Sequence, residues 1–325
     1  MAPWKRGKKR RERALRIFFA TDVHGSDRCF RKFLNAAQGY EANVLVLGGD
    51  VAGKAIVPIR RDGDTLTAEW QGATVTLPVS EKEKLVGDVN VFGFYAVEMD
   101  AAEVERVGAD KAYREEVFRR EIKLQLEGWC ELAGDRLPDD VRCIITPGND
   151  DPTEIDAVLE AAEKVECPER QLCDLGPALL ASIGDVTPTP WDTEREYSEE
   201  ELAERIAAIV EPAPDGVPMI FNFHNPPYNS GLDTAAELDE NLRPVIRGGR
   251  PSFVPVGSTA VRDAIAKYQP SVGLHGHIHE SRAAQTIGQT LCLNPGSDYS
   301  EDLLRGVIVD VADDGSCLDF LFTAG

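Results

Sequence analysis

The sequence predicts a layered α/β fold, on three observations. Short apolar runs rich in β-branched and aromatic residues recur along the chain, helical patterns alternate with them, and five of the runs stop on a polar motif. Residues 15–20 form the first run, which ends at Asp22-Val23-His24, and a helical pattern follows at about 26–38. The second run, 43–47, stops at Gly48-Gly49-Asp50. A third, 141–146, leads into Gly148-Asn149-Asp150 and a helical pattern at 153–164. After a further helix at 198–210, the run 217–223 ends at His224. A helix at 258–268 precedes the fifth run, 271–274, which opens into His275-Gly276-His277-Ile278-His279. Runs at 290–293, 305–310 and 318–322, separated by Asn294-Pro295-Gly296 and Asp313-Asp314-Gly315 turns, read as closing strands of a second sheet packed on the first.

Between the second and third motifs lie roughly 100 residues, far more than an ordinary connection needs. Residues 55–59, 65–70 and 73–77 read as a small β-meander with Asp62-Gly63-Asp64 and Gln71-Gly72 turns, and 101–134 as one or two amphipathic helices. This insertion, about 53–135, starts at the rim of the second motif. It serves either as a cap that shapes a pocket or as a peripheral or homo-oligomer contact.

With 325 residues and 42% hydrophobic side chains the chain can bury a large core. No apolar run reaches the 18 or so residues of a membrane span, and the basic N-terminus lacks a following apolar stretch, so no membrane partner and a cytoplasmic location are expected. Seven cysteines without a CxxC pair suit reduced thiols. Residues 1–16 carry eight Lys/Arg against one Glu, a local +7, so the rest of the chain holds −28 of the net −21. Residues 1–14 are expected to be a basic disordered arm, and residues 15–325 one domain. The acidic body disfavours nucleic acid as a partner.

In α/β folds ligands gather where strand C-termini converge, and all five polar motifs follow a strand end. The chain has only five histidines, and all five lie in these motifs. Carboxylate and imidazole together suit Mn, Fe or Zn better than Ca or Mg. Asp22 and His24, two apart in extended chain, would point the same way, as would His277 and His279. Asp50, beside two glycines, could bridge two ions.

In order and spacing, D-x-H, G-D, G-N-x, a lone H and G-H-x-H resemble the calcineurin-like metallophosphoesterase superfamily, over about residues 16–298. The resemblance implies a four-layer α/β/β/α sandwich and two divalent transition-metal ions, with Mn the first choice in vitro. It places Asp22, His24, Asp50 and His279 on one ion, and Asp50, Asn149, His224 and His277 on the other. It also implies hydrolysis of a phosphate ester, small molecule or nucleotide, by a metal-bridging hydroxide. Many members carry His after the motif Asn to assist the leaving group. Here that position is Asp150, followed by Asp151, and an ionised Asp cannot donate a proton and repels phosphate. His275 is the remaining candidate donor. Asn225, Tyr228, Asn229 and Asp233 either line the pocket or form a turn-rich connector. A phosphodiesterase is expected over a monoesterase, because no arginine clamp accompanies the motifs. The alternatives are a catalytically weak or inactive metal-binding scaffold, and a nuclease.

Overall fold

The computed structural model describes residues 13–325. Of the expected basic arm, 1–12 lie outside the described residues, and Arg13 and Ala14 already belong to the first strand, where Arg13 pairs with Ala312. The chain runs β1 (Arg13–Ala20), α1 (Asp27–Gly39), β2 (Val44–Gly48), β3 (Ala55–Asp62), β4 (Thr65–Trp70), β5 (Ala73–Pro78), α2 (Lys82–Val91), β6 (Phe94–Met99), α3 (Ala101–Ala109), α4 (Lys111–Arg136) and β7 (Arg142–Thr146). It continues through α5 (Ile155–Glu160), β8 (Val165–Glu166), β9 (Leu172–Asp174), β10 (Leu179–Ile183), α6 (Glu199–Val210) and β11 (Met219–Phe223). Two small hairpins follow, from β12 (Thr234–Ala236), β13 (Ile246–Arg247), β14 (Arg250–Pro251) and β15 (Phe253–Pro255). Then come α7 (Thr259–Tyr268), β16 (Val272–Leu274), β17 (Ala283–Ile287), β18 (Thr290–Asn294), β19 (Arg305–Ala312) and β20 (Cys317–Ala324).

Two six-stranded sheets stack, ordered β20-β19-β1-β2-β7-β8 and β17-β18-β16-β11-β10-β9. Period-two alternation sorts the side chains between layers. In β1, Ile17 and Phe19 face the second sheet with Val44, Val46, Leu180, Ile220 and Leu274. Phe18 and Ala20 face the opposite way, onto Phe30 and Phe33 of α1 and Trp129 of α4. On the far side, Phe221 and Phe223 of β11 pack under Leu202, Ile206, Val261 and Ile265 of α6 and α7. The result is a four-layer α/β/β/α sandwich.

Local signals start the helices. Ser26 caps α1 by accepting from the Cys29 N–H, and Ser198 and Glu201 form a reciprocal capping box on α6. Phe30 and Trp129 stack at 4.1 Å between ring centroids and tie α4 to α1.

Several expectations need correction. The closing strands do not share a sheet: β18 joins the second, whereas β19 runs antiparallel to β1 and β20 to β19 in the first. Apolar alternation reports burial, not which sheet a strand joins. The helix expected at 153–164 spans only Ile155–Glu160 before the chain turns into β8. β10, between β11 and the edge strand β9 in the second sheet, had no expected counterpart. The segment between β2 and β7 is richer than a three-stranded meander, since α2 carries the chain over to β6, which pairs in parallel with β3. Its own core comprises Ile59, Leu66, Leu85 and Val89. No helix among the described residues is long and apolar enough to cross a membrane.

Candidate metal centre

The C-terminal ends of β1, β2, β7, β11 and β16 meet at one edge of the sandwich, and backbone hydrogen bonds lace their loops together. The Asp22 N–H donates to Gly49 O, His24 N–H to Asp50 O and Gly25 N–H to Val51 O, at 2.8–3.0 Å. Gly276 N–H donates to His224 O, and His224 N–H to Ile183 O, both at 3.0 Å. The His277 N–H reaches the Asp22 carboxylate at 3.1 Å, and Asp150 N–H reaches Asp50 Oδ1 at 3.0 Å.

This lacing demands unusual backbone. Asp22 (φ 55°), His24 (φ 41°), Asp50 (φ 50°) and His277 (φ 67°) all sit in the left-handed region. Non-glycine residues there cost about 1–3 kcal/mol each and persist where the surroundings enforce them, characteristically at functional sites. Asp22 and His24 therefore converge through a turn, and the expectation of extended chain is corrected.

Two groups of side-chain atoms result. Atoms of Asp22, His24, Asp50 and His279 lie within 4.8 Å of one another, as do those of Asp50, His224 and His277. Asp50 belongs to both. All these residues are buried except His277 and His279, which are half-buried. His277 and His279, two residues apart, fall in different groups.

Polar atoms here are buried without partners: His24 Nδ1, His224 Nε2 and Asn149 Oδ1. Each would cost about 1–3 kcal/mol if left so. The His224 ring is held by Nδ1–H donating to Gly48 O at 3.0 Å, which turns Nε2 toward Asp50 at 3.4 Å. The Asn149 amide donates to Asp150 Oδ1 and Thr193 Oγ1, both at 3.1 Å, which leaves its Oδ1 as the free acceptor. His24 Nε2 and His279 Nε2 stand 3.0 Å apart. Electrostatics tell the same story. Burial pushes the Asp22 carboxyl up, but His279, His224 and His24 outweigh it and hold it well below the usual carboxylate range. Burial lowers His224, yet Asp50 and Asp22 push it up to about 10. A dense set of carboxylates and imidazoles around three buried polar atoms that lack a hydrogen-bond partner fits divalent transition-metal ions.

Three glycines leave the room. A Cβ on Gly49 would strike the His224 ring, one on Gly276 would strike Thr21 and Asp22, and one on Gly148 would strike Asp50 Oδ1 and sit 2.7 Å from His224 Nε2. Gly148 has no left-handed backbone to protect, so Gly148→Ala acts through this clash alone. We expect it to lose one or both bound ions by metal analysis while the far-ultraviolet circular dichroism stays native. Two retained ions would contradict the steric reading.

Not every expected site residue arrives. His275 is fully buried, with Nδ1 on Phe223 O at 2.8 Å and its ring against Gly273, and burial lowers its pKa to about 4. The expectation of a proton donor there is corrected: the imidazole points into the second sheet. Asp233 is also fully buried and accepts from the N–H groups of Asn229, Ser230, Gly231 and Gly257, so it locks a turn and does not line a pocket. Asn225 is buried and donates to Thr187 Oγ1, and Tyr228 is exposed.

Sequence reasoning missed three residues. Asp151, noted in the sequence only as the residue after Asp150, is completely buried and accepts from Val51, Ala52 and Gly148 N–H at 2.7–3.0 Å. The ring of Tyr299 lies 4.8 Å from that of His24. Lys54 places Nζ 2.7 Å from Asp150 Oδ2. Its only sequence signal was a cation four residues beyond Asp50.

No model of a known protein family matches the chain. Over 177 residues, 53% of this chain and 73% of the relative, it is 29% identical to the uncharacterized protein MJ1162 of Methanocaldococcus jannaschii. Its fold is similar to that of TT1561 of Thermus thermophilus, with a TM-score of 0.53 at 14% identity over 96% of this chain and 98% of that one. A novel archaeal phosphodiesterase aligns over 96% of this chain and 100% of that one, at 11% identity and a TM-score of 0.31, too loose a superposition to carry weight. The five ordered strand-end motifs remain those by which the sequence resembles the calcineurin-like metallophosphoesterase superfamily, and the four layers are the fold that this resemblance implies.

Proposed function

We propose that the protein hydrolyses phosphate esters, diesters before monoesters, using two divalent transition-metal ions. The observation that carries this reading is the pair of ligand groups sharing Asp50. Asp22, His24, Asp50 and His279 would hold one ion, and Asp50, Asn149, His224 and His277 the other. Bound there, two such ions supply acidified water and charge neutralisation for a phosphoryl group. The protein's own contribution is positional. The Gly48 carbonyl fixes the His224 tautomer, Thr21 Oγ1 donates to Asp22 Oδ2 at 2.7 Å, and Ser297 Oγ holds Asp22 O at 2.7 Å. Diester preference follows from motifs that bring no guanidinium clamp for a dianion.

We read residues 13–325 as one domain and the insertion at about 53–135 as a cap on its site. Support for the cap comes from Tyr95, whose hydroxyl accepts from Gly53 N–H at 2.8 Å and donates to Gln125 Oε1, while Gln125 Nε2 donates to Gly25 O. That relay ties β6 and α4 to the loops after β1 and β2. The substrate would be a small phosphate ester or nucleotide.

Substrate choice tests this. With Mn²⁺ bound, we expect kcat/KM for bis(p-nitrophenyl) phosphate at least tenfold above that for p-nitrophenyl phosphate. Equal or faster monoester hydrolysis would reject the diester preference; no hydrolysis of either would reject the enzyme.

A further inference from the structure

The carboxylate of Asp150 lies beside the candidate metal centre and is partly open to solvent. Its Oδ2 lies 3.9 Å from His24 Nδ1, and its N–H is bound to Asp50 Oδ1. Unopposed, such a charge would repel the substrate strongly in a partly desolvated pocket. It is opposed by Lys54, whose Nζ makes one hydrogen bond, to Asp150 Oδ2 at 2.7 Å. An ammonium has three donors, and the other two find no partner among the described residues. About a third of the Lys54 side chain is open, 36%, and 27% of that of Asp150.

The insertion builds this placement. Lys54 N–H donates to Gly93 O at 2.7 Å, at the point where β3 and β6 start side by side. A Cβ on Gly93 would strike the His24 carbonyl and approach the Tyr299 ring to 3.0 Å, and one on Gly53 would meet Gly93 O at 2.7 Å. Both glycines therefore let the first turn of the insertion press onto the metal-binding loop. The lysine is delivered to the site's mouth by backbone contacts, unlike an ordinary surface ion pair.

We propose that Lys54 is a substrate-binding residue, which grips a phosphoryl oxygen with its two free N–H groups while Asp150 holds it in position. The pair is neutral overall, so the aspartate that replaces a histidine at this position does not repel the substrate. This inference rests on the phosphoesterase reading and adds the residue that receives the anion.

Binding of inorganic phosphate to the Mn-loaded full-length protein, measured by calorimetry, tests it. Lys54→Met is expected to weaken phosphate at least tenfold and Lys54→Arg by less than threefold, with bound Mn unchanged in both. Asp150→Asn, which keeps an acceptor oxygen to position the ammonium and removes a like charge, is expected to bind phosphate as tightly or tighter. Wild-type phosphate affinity in Lys54→Met, or weakened affinity in Asp150→Asn, would overturn the assignment. If the wild type hydrolyses bis(p-nitrophenyl) phosphate while Lys54→Met binds phosphate normally, only the role of Lys54 falls. A wild type that holds two ions yet neither hydrolyses the diester nor binds phosphate would remove the phosphoesterase reading and this inference together.

Discussion

Asp50→Asn is expected to cut turnover roughly 10³-fold, about 4 kcal/mol of transition-state stabilisation, and to leave fewer than two ions per chain. Asp50 is the residue common to both ligand groups, with Oδ2 3.4 Å from His224 Nε2 and 3.7 Å from His24 Nε2. Asparagine keeps the volume, and its carbonyl oxygen can still accept from Asp150 N–H. It lacks the negative charge and the second acceptor oxygen that two cations would share. The substitution therefore removes little packing, and the melting temperature of metal-free protein should barely move. Metal analysis together with diester hydrolysis measures both effects. Two ions and undiminished turnover would show that Asp50 does not join them.

Asp151→Ala should destabilise the fold by about 3 kcal/mol or more, because it leaves three buried N–H groups without an acceptor. A loss of about 3 kcal/mol corresponds to roughly 4–5 °C in melting temperature for a chain of this length. The three N–H groups belong to Val51, Ala52 and Gly148, so the carboxylate joins the loop after β2 to the loop after β7. Its backbone is held in turn by the buried Arg195, whose Nε donates to Asp151 O at 2.9 Å. The loops carry Asp50 and Asn149, so metal affinity should fall alongside stability even though Asp151 touches no ion. Asp151→Asn, which keeps acceptor oxygen, is expected to recover part of both. Thermal melts with and without Mn²⁺ separate the two losses, and an Asp151→Ala protein melting like wild type would refute the clamp.

The α/β layering was legible because strand-sized apolar runs alternate with amphipathic helices, and the motifs stood out because each interrupts such a run. What the sequence hid was direction and distance. β10 contains Ala181 and Ser182 in only five residues, too weak a pattern to mark an interior strand. β19 and β20 carry the alternation of any half-buried strand, and only pairing with β1 reveals their sheet. His275 shares a motif with His277 and His279, yet its ring faces the opposite side of the chain. Asp150 and Asp151 are neighbours with opposite fates, one at the pocket mouth and one beneath it. Lys54 and Asp150 are 96 residues apart, and nothing local in either segment announces the pair. The left-handed backbone at Asp22, His24, Asp50 and His277 was equally invisible, since none is glycine.

The most direct measurement follows bound metal and hydrolysis of bis(p-nitrophenyl) phosphate in the same titration of metal-stripped protein with Mn²⁺. The expected result is binding that saturates at two ions per chain, with turnover rising as the second site fills. Two bound ions with no turnover would contradict the enzyme and leave a metal-binding protein in its place.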